Sequence, residues 1–452
     1  MSVDAWNIRA PSGGASALAR GQLWLGVAAL VGAGLLAVVL VLSRTPGASA
    51  LFSSTNLFRA ALVVHVDLSV LVWFMAFAGV LTSIVTPDRW VPMGWLAWAL
   101  AALGTCLMLV SPFLDGAQPL LNNYIPVLDQ GVFLAGLLAC GAGFGMTLLR
   151  CLLLNGSGPE WPAGERALRQ GVRLAALAGA MAWLAFGWTW LQLPATQGTA
   201  YFELLFWGPG HVLQFQHALL LGVAWLWLVH GLGAQPPVSQ GRWLRWAVML
   251  AAVPLAAVPV LYVVWPVGSP GHLAAFTELM QWGHLWMLPL GALVLTALPG
   301  VWRAAPSPQR SALLFSLLLF ATGGVLAYMI RGVNVVVPAH YHGSIVGVTL
   351  AFMGLTYALL PLLGYRPVQA AWARWQPVVY GGGQLMHILG LAWSGGYGVQ
   401  RKVAGAQQVL TTLPEKIGMG MMGLGGLIAI IGGVMFAWAC IQSMRPRAVA
   451  EG

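Results

Sequence analysis

Apolar stretches of about 20 residues or more recur along the whole chain, near 21–43, 56–86, 94–114, 126–152, 172–194, 201–231, 244–265, 273–300, 311–331, 338–364, 376–398 and 415–440. A helix rises about 1.5 Å per residue, so each stretch can cross roughly 30 Å of hydrocarbon. It also satisfies every backbone N–H and C=O within the segment, as a bilayer requires. Charged residues make up 7% of the 452 positions and apolar residues 59%. So few charges could not cover the surface of a water-soluble protein of this size. The expected fold class is an all-α polytopic membrane protein with twelve transmembrane helices.

The net charge of +10 invites a polyanionic-partner reading. Topology accounts for it better. With the N-terminus in the cytoplasm, the outer side holds Arg44, Arg59, Arg331, Arg401, Lys402 and Lys416, and the other 15 of the 21 Lys and Arg fall on the cytoplasmic side. This is the positive-inside bias, so no nucleic-acid partner is implied. No small-residue cleavage site follows a short apolar core near the start, so 1–20 reads as a cytoplasmic tail. Residues 21–440 form one membrane domain and 441–452 a second cytoplasmic tail, in an integral protein of the bacterial inner membrane. Cys106, Cys140, Cys151 and Cys440 lie in or beside apolar helices without paired spacing, as structural thiols do.

Nine histidines occur, and an ionisable group inside a membrane is a functional candidate by default. In the inferred topology His65, His211, His340 and His342 share one depth, in the outer half of the bilayer. A lone buried histidine is ordinarily a satisfied core residue, but four independent ones would have no reason to share a level. "VPAHYHGS", Val337–Ser344, also sets His340 and His342 two apart, about 200° around a helix and so on nearly opposite faces. Such a pair suits two metals better than one. Neutral imidazole is the usual axial ligand of haem iron. His340 and His342 can thus each serve one of two haems, with His65 opposite one and His211 left for a second metal facing the other.

At these residues the chain resembles subunit I of the haem–copper oxidase superfamily, which includes cytochrome oxidases and bacterial nitric oxide reductases. The likeness is most specific over "NVVVPAHYHGSIVGVTLAFMGLTYALLPLLGY" (Asn334–Tyr365), "QLMHILGLAWSGGYGVQRK" (Gln384–Lys402) and "LLFWGPGHVLQF" (Leu204–Phe215), with a looser fit at Ala60–Leu81. The resemblance implies a low-spin haem held by His65 and His342, a high-spin haem held by His340, and a copper ligand in His211. It places Arg401 and Lys402 on the haem propionates, where two cations would offset buried carboxylates. His387 matches a histidine that is not a ligand.

The pattern breaks at the second metal. Members that reduce oxygen carry two adjacent histidines at the outer end of helix seven, but "VLYVVWPVGSPGHLAAF" (Val260–Phe276) has none. His272 is the nearest substitute, either a copper ligand or a loop residue. His284 and His217 lie deeper and read as core packing. Phe215 stands where the family usually has a redox tyrosine, leaving Tyr262 as the tyrosine available on helix seven. Leu213 stands where many members have a glutamate. Glu278 and Gln281 are the nearest polar groups for a proton route, with Glu203 and Asp67 as further buried or interfacial acids.

The implied activity is oxygen reduction by a cytochrome c oxidase-like catalytic subunit, with two haems and copper or another non-haem metal. No dinuclear-copper motif is present, so electrons would come from a cytochrome c or a subunit II-like partner. The alternatives are nitric oxide reduction, which needs no redox tyrosine, and a haem-binding electron-transfer subunit that has lost its copper site. A transporter is disfavoured because Gly/Pro-broken helices do not recur in mirrored halves.

Overall fold

The computed structural model describes residues 8–47, 55–154, 161–193, 198–234, 241–403 and 407–445. Residues 1–7 and 446–452 of the two expected tails, Arg447 among them, lie outside the described residues. The chain divides into two compact units. One comprises Met1–Ala29 and Val63–Ala304, the other Leu30–Leu62 and Ala305–Gly452.

The helices follow one another as α1 (Gly13–Arg44), α2 (Thr55–Val66), α3 (Trp73–Val85), α4 (Val91–Val110), α5 (Gly131–Leu153), α6 (Ala163–Gln192), α7 (Gly198–Gly231) and α8 (Gly241–Ala252). They continue as α9 (Ala257–Val264), α10 (Pro270–Gly283), α11 (Leu288–Thr296), α12 (Leu298–Arg303), α13 (Pro308–Tyr328), α14 (Val336–Leu362), α15 (Gln376–Gly396) and α16 (Leu413–Met444). Among the described residues, eleven helical spans are long and apolar enough to cross a membrane. The remaining expected span, 376–398, folds as the helix α15 but falls outside that set, so eleven of the twelve expected spans are found. Gln376, Gln384, His387, Ser394 and the Gly381–Gly383 run lower its hydropathy.

α2 and α3 form one span, joined by a π-helical turn over Asp67–Val72; its start, up to Leu62, belongs to the second unit and the rest, from Val63, to the first. Such turns interrupt the regular ladder and often mark functional places. The α8–α9 span passes through a 3₁₀ turn at Val253–Ala256, where Pro254 supplies no N–H. A second 3₁₀ turn, His284–Met287, divides α10 from α11 just before Pro289. Between α4 and α5, strands β1 (Pro119–Leu120) and β2 (Val127–Leu128) pair antiparallel, closing a loop over residues 121–126. Close packing uses small residues: a Cβ on Gly104 or Gly143 would collide with the backbone of the partner helix in the α4–α5 pair.

In the second unit, glycines again let helices approach. Gly383, Gly390 and Gly425 seat α15 against α16, and Gly323 and Gly343 seat α13 against α14. Gln376, fully buried, accepts from the Tyr357 hydroxyl at 2.9 Å and donates to the Gly432 carbonyl at 3.0 Å. The buried amide thus satisfies a polar demand that packing alone would leave open.

Candidate functional site

In the second unit the candidate side chains gather at the start of α14. Asn334 pairs with Gln400, and the Val335 amide donates to the Val399 carbonyl at 3.0 Å, so the segment after α15 is tied to the entry of α14. His340 and His342 follow in the first two turns. The Nδ1–H of His340 donates to the Gly323 carbonyl on α13 at 2.7 Å, which leaves the lone pair on Nε2. That donor state would suit a bond to iron, since a carbonyl on the far nitrogen fixes both ring orientation and tautomer. The His342 ring lies 5.5 Å from Tyr341 and 5.2 Å from His387. His387 Nδ1 donates to the Met422 carbonyl at 2.9 Å, holding it within the α15–α16 packing.

Arg401 and Lys402 directly follow Gln400 and are half-buried, Lys402 with a left-handed φ of 62°. The bridge at Gln400 therefore brings the basic pair to the same end of α14 as the two histidines. A third cation joins them that sequence reading did not single out for a role. Arg44, at the end of α1, donates to Gln408 Oε1 at 3.1 Å and to the Gln400 carbonyl at 3.3 Å.

In the first unit His65 is half-buried near the end of α2, and the Ser69 hydroxyl donates to its carbonyl at 2.6 Å. Asp67 is buried in the π turn two residues on, and its Oδ2 has no hydrogen-bond partner.

The second cluster of this unit is built on α7 and α10. Glu203, Trp207 and His211 are spaced four apart and so share one face of α7. His211 Nδ1–H donates to the Trp207 carbonyl at 2.6 Å, and Nε2 accepts from the Tyr124 hydroxyl at 2.7 Å. Tyr124 comes from the loop between β1 and β2. Burial, with the Glu203 carboxylate nearby, pushes its hydroxyl above the ordinary range and keeps it protonated as a donor. Sequence reading missed this residue, because a tyrosine in a polar "NNY" turn carries no periodic signal and its partner lies 87 positions away.

His272 sits in the first turn of α10, where Ser269 caps the helix by accepting from the His272 amide at 3.2 Å. The ring is fully buried, and neither nitrogen has a hydrogen-bond partner. Phe276 touches both histidines, its ring centre 6.1 Å from His211 and 4.9 Å from His272. Tyr262 meets His272 edge-on at 5.3 Å, and its hydroxyl lies 2.9 Å from Thr189 Oγ1. The structure thus brings His211, His272 and Tyr262 around Phe276. It does not bring Glu278, which is exposed and accepts from Trp282 Nε1 at 2.6 Å. Phe215 stacks on His284 at 4.4 Å, and His217 packs edge-on against Phe74 at 4.8 Å, as aromatic core packing would have them.

These donors fit haem iron and copper unequally. His340 presents a free Nε2 and fits an iron. Among the described residues no three His, Cys, Asp or Glu side chains form one metal-binding group, and His211 has both nitrogens engaged. A copper site complete in three histidines does not fit this arrangement.

Residues 17–435 match the family described as Cytochrome C and Quinol oxidase polypeptide I. An uncharacterized protein of Rickettsia prowazekii is 30% identical, over 95% of this chain and 96% of its own length. An uncharacterized protein of Aquifex aeolicus is 28% identical, over 74% of this chain and 82% of its own. Among solved structures, a heme-copper terminal oxidase dimer determined by cryo-EM matches with a TM-score of 0.68. That match covers 97% of this chain and 85% of the other at 15% identity, which makes it a likeness of fold.

Proposed function

The chain is a divergent member of the haem–copper oxidase subunit I family, and from that premise we propose that it reduces oxygen to water as the catalytic subunit of a respiratory terminal oxidase. Electrons arrive from a cytochrome c or a subunit II-like partner. The protein is integral to a bacterial inner membrane, with both termini in the cytoplasm. The observation that carries the reading is the His340 ring, whose Nδ1 is tied to Gly323 while Nε2 keeps its lone pair.

His340 would hold the high-spin haem in this reading. His342, about 200° around α14, and His65 hold the low-spin haem. Arg401 and Lys402 offset the propionates, and His211 and His272 flank the gas-binding pocket. When bound, the haems supply one-electron transfer and an iron open to a small gas. Around them the chain excludes water with Phe276, Phe215 and Tyr262, and holds protons on Tyr124 and Tyr262.

Two observations favour other readings of the same site. Phe215, in place of a tyrosine, offers neither proton nor electron, which suits nitric oxide as the substrate. The engaged nitrogens of His211 suit a haem subunit that only transfers electrons. One set of measurements separates the three on the purified protein: reduced-minus-oxidised spectra, non-haem metal content, and uptake of oxygen or nitric oxide with reduced cytochrome c. Two haem signals with oxygen uptake support the oxidase. Nitric oxide uptake alone, or haem spectra with neither turnover nor metal, would replace it by the corresponding alternative.

A further inference from the structure

We propose that Tyr124 caps His211, occupying the lone pair that a non-haem metal would need, so that the pocket as built does not fit one. The inference rests on the reading above, in which His211 flanks the gas-binding pocket. It starts from the proton inventory of one ring. Neutral imidazole has one N–H and one lone pair. In His211 the N–H is spent on Trp207 at 2.6 Å and the lone pair on Tyr124 at 2.7 Å. Nothing on this ring remains for a metal while Tyr124 is in place.

The cap is held by its own clamp. Asn122 Oδ1 accepts from the amides of Tyr124 and Ile125 at 3.1 and 3.0 Å, folding the loop tightly. Asn123 donates its backbone and side-chain N–H groups to the two Glu203 oxygens at 2.9 and 2.6 Å, fastening the loop to α7 two turns before His211. Gly210 leaves the gap in which the Tyr124 ring lies, since a Cβ there would press into that ring.

A second observation points to an absent ligand in the same pocket. His272 is fully buried with two unpartnered ring nitrogens, a costly state for a polar group. One histidine of the pocket is thus closed and the other open, with Phe276 against both. With Tyr124 in place the pocket would offer a cation of the imidazole-binding class, such as copper(II), His272 and no second free imidazole nitrogen from His211, too few donors for a stable site.

The test is a copper(II) titration of the full haem-loaded chain in detergent, read by metal content and by the nitrogen coupling in its electron paramagnetic resonance spectrum. Tyr124→Phe should bind copper about tenfold more tightly than the wild type, the scale of one net hydrogen bond, and adding His211→Ala should remove that gain. Tyr357→Phe, which removes a hydroxyl bonded to Gln376 in the second unit instead, should show no gain. If Tyr124→Phe does not fold, Asn123→Ala loosens the same clamp and should tighten copper binding by a smaller factor. Equal or weaker binding in the Tyr124 variant, or an equal gain in the Tyr357 variant, overturns the cap. The two readings fail separately. A wild type without haem overturns the oxidase reading and the cap with it, whereas haem and oxygen uptake without the copper gain overturn the cap alone.

Discussion

Gly323 and His340 are joined across α13 and α14 by a 2.7 Å hydrogen bond, and the glycine is what allows the two helices to come so close. A Cβ on Gly323 would collide with the Ser344 backbone, and one on Gly343 would collide with Gly323. The carbonyl that sets the His340 tautomer is therefore placed by steric absence. Gly323→Val should separate α13 from α14, cost about 1–3 kcal/mol of stability as overpacked sites do, and disturb the high-spin haem signal. Thermal denaturation and reduced-minus-oxidised spectra check both. An unchanged melting temperature with an unchanged spectrum would mean that the contact does not set the ring.

Under the proposed function His342 and His65 would hold a haem other than the one on His340, an expectation that rests on i and i+2 pointing to nearly opposite sides of a helix. Replacing either by Ala should abolish the low-spin signal and leave high-spin haem bound. Spectra of the two variants decide the matter, and a low-spin band that survives in both counts against the assignment.

Arg401 lies at the same end of α14 as both histidines because Gln400 bridges to Asn334. Reduction adds negative charge to a haem, and a nearby cation favours that step most strongly where the dielectric is low. Arg401→Gln should therefore lower the midpoint potential in a redox titration. A raised or constant potential would place the guanidinium away from the propionates. Arg44, tied to Gln400 and Gln408, gives a second position at which the same fall is expected.

How much of this could be read in the sequence follows from the range of each signal. Hydropathy is a property of contiguous residues, and it located the spans closely, 56–86 against Asn56–Val85 for example. The count of twelve rested on the same signal and is weakest at α15, where polar and glycine positions dilute it. The opposite-face logic of His340 and His342 needed only two residues and a helix. The Gly323 carbonyl, 17 residues away on another helix, could not be inferred from it. Tyr124 was out of reach for the same reason, since it meets His211 through a loop with no periodicity. The π turn at Asp67 is set by packing around α2 and α3, and no local residue pattern announces it.

His272 yields the sharpest contrast between a pocket that holds a metal and one that does not. In metal-free protein its buried, unpartnered nitrogens are a liability, so His272→Leu, of comparable volume, should raise stability by about 1–2 kcal/mol. With saturating copper(II) the order should reverse, because a ligand that binds only the folded state stabilises it by mass action and the variant loses that gain. The measurement is the melting temperature of both proteins with a chelator and with copper. Reversal would mark His272 as a ligand. A variant more stable than the wild type under both conditions would make the ring a vestige in a haem subunit without its second metal. A variant less stable under both would show that the nitrogens already have partners, and His272 would drop out of the metal site.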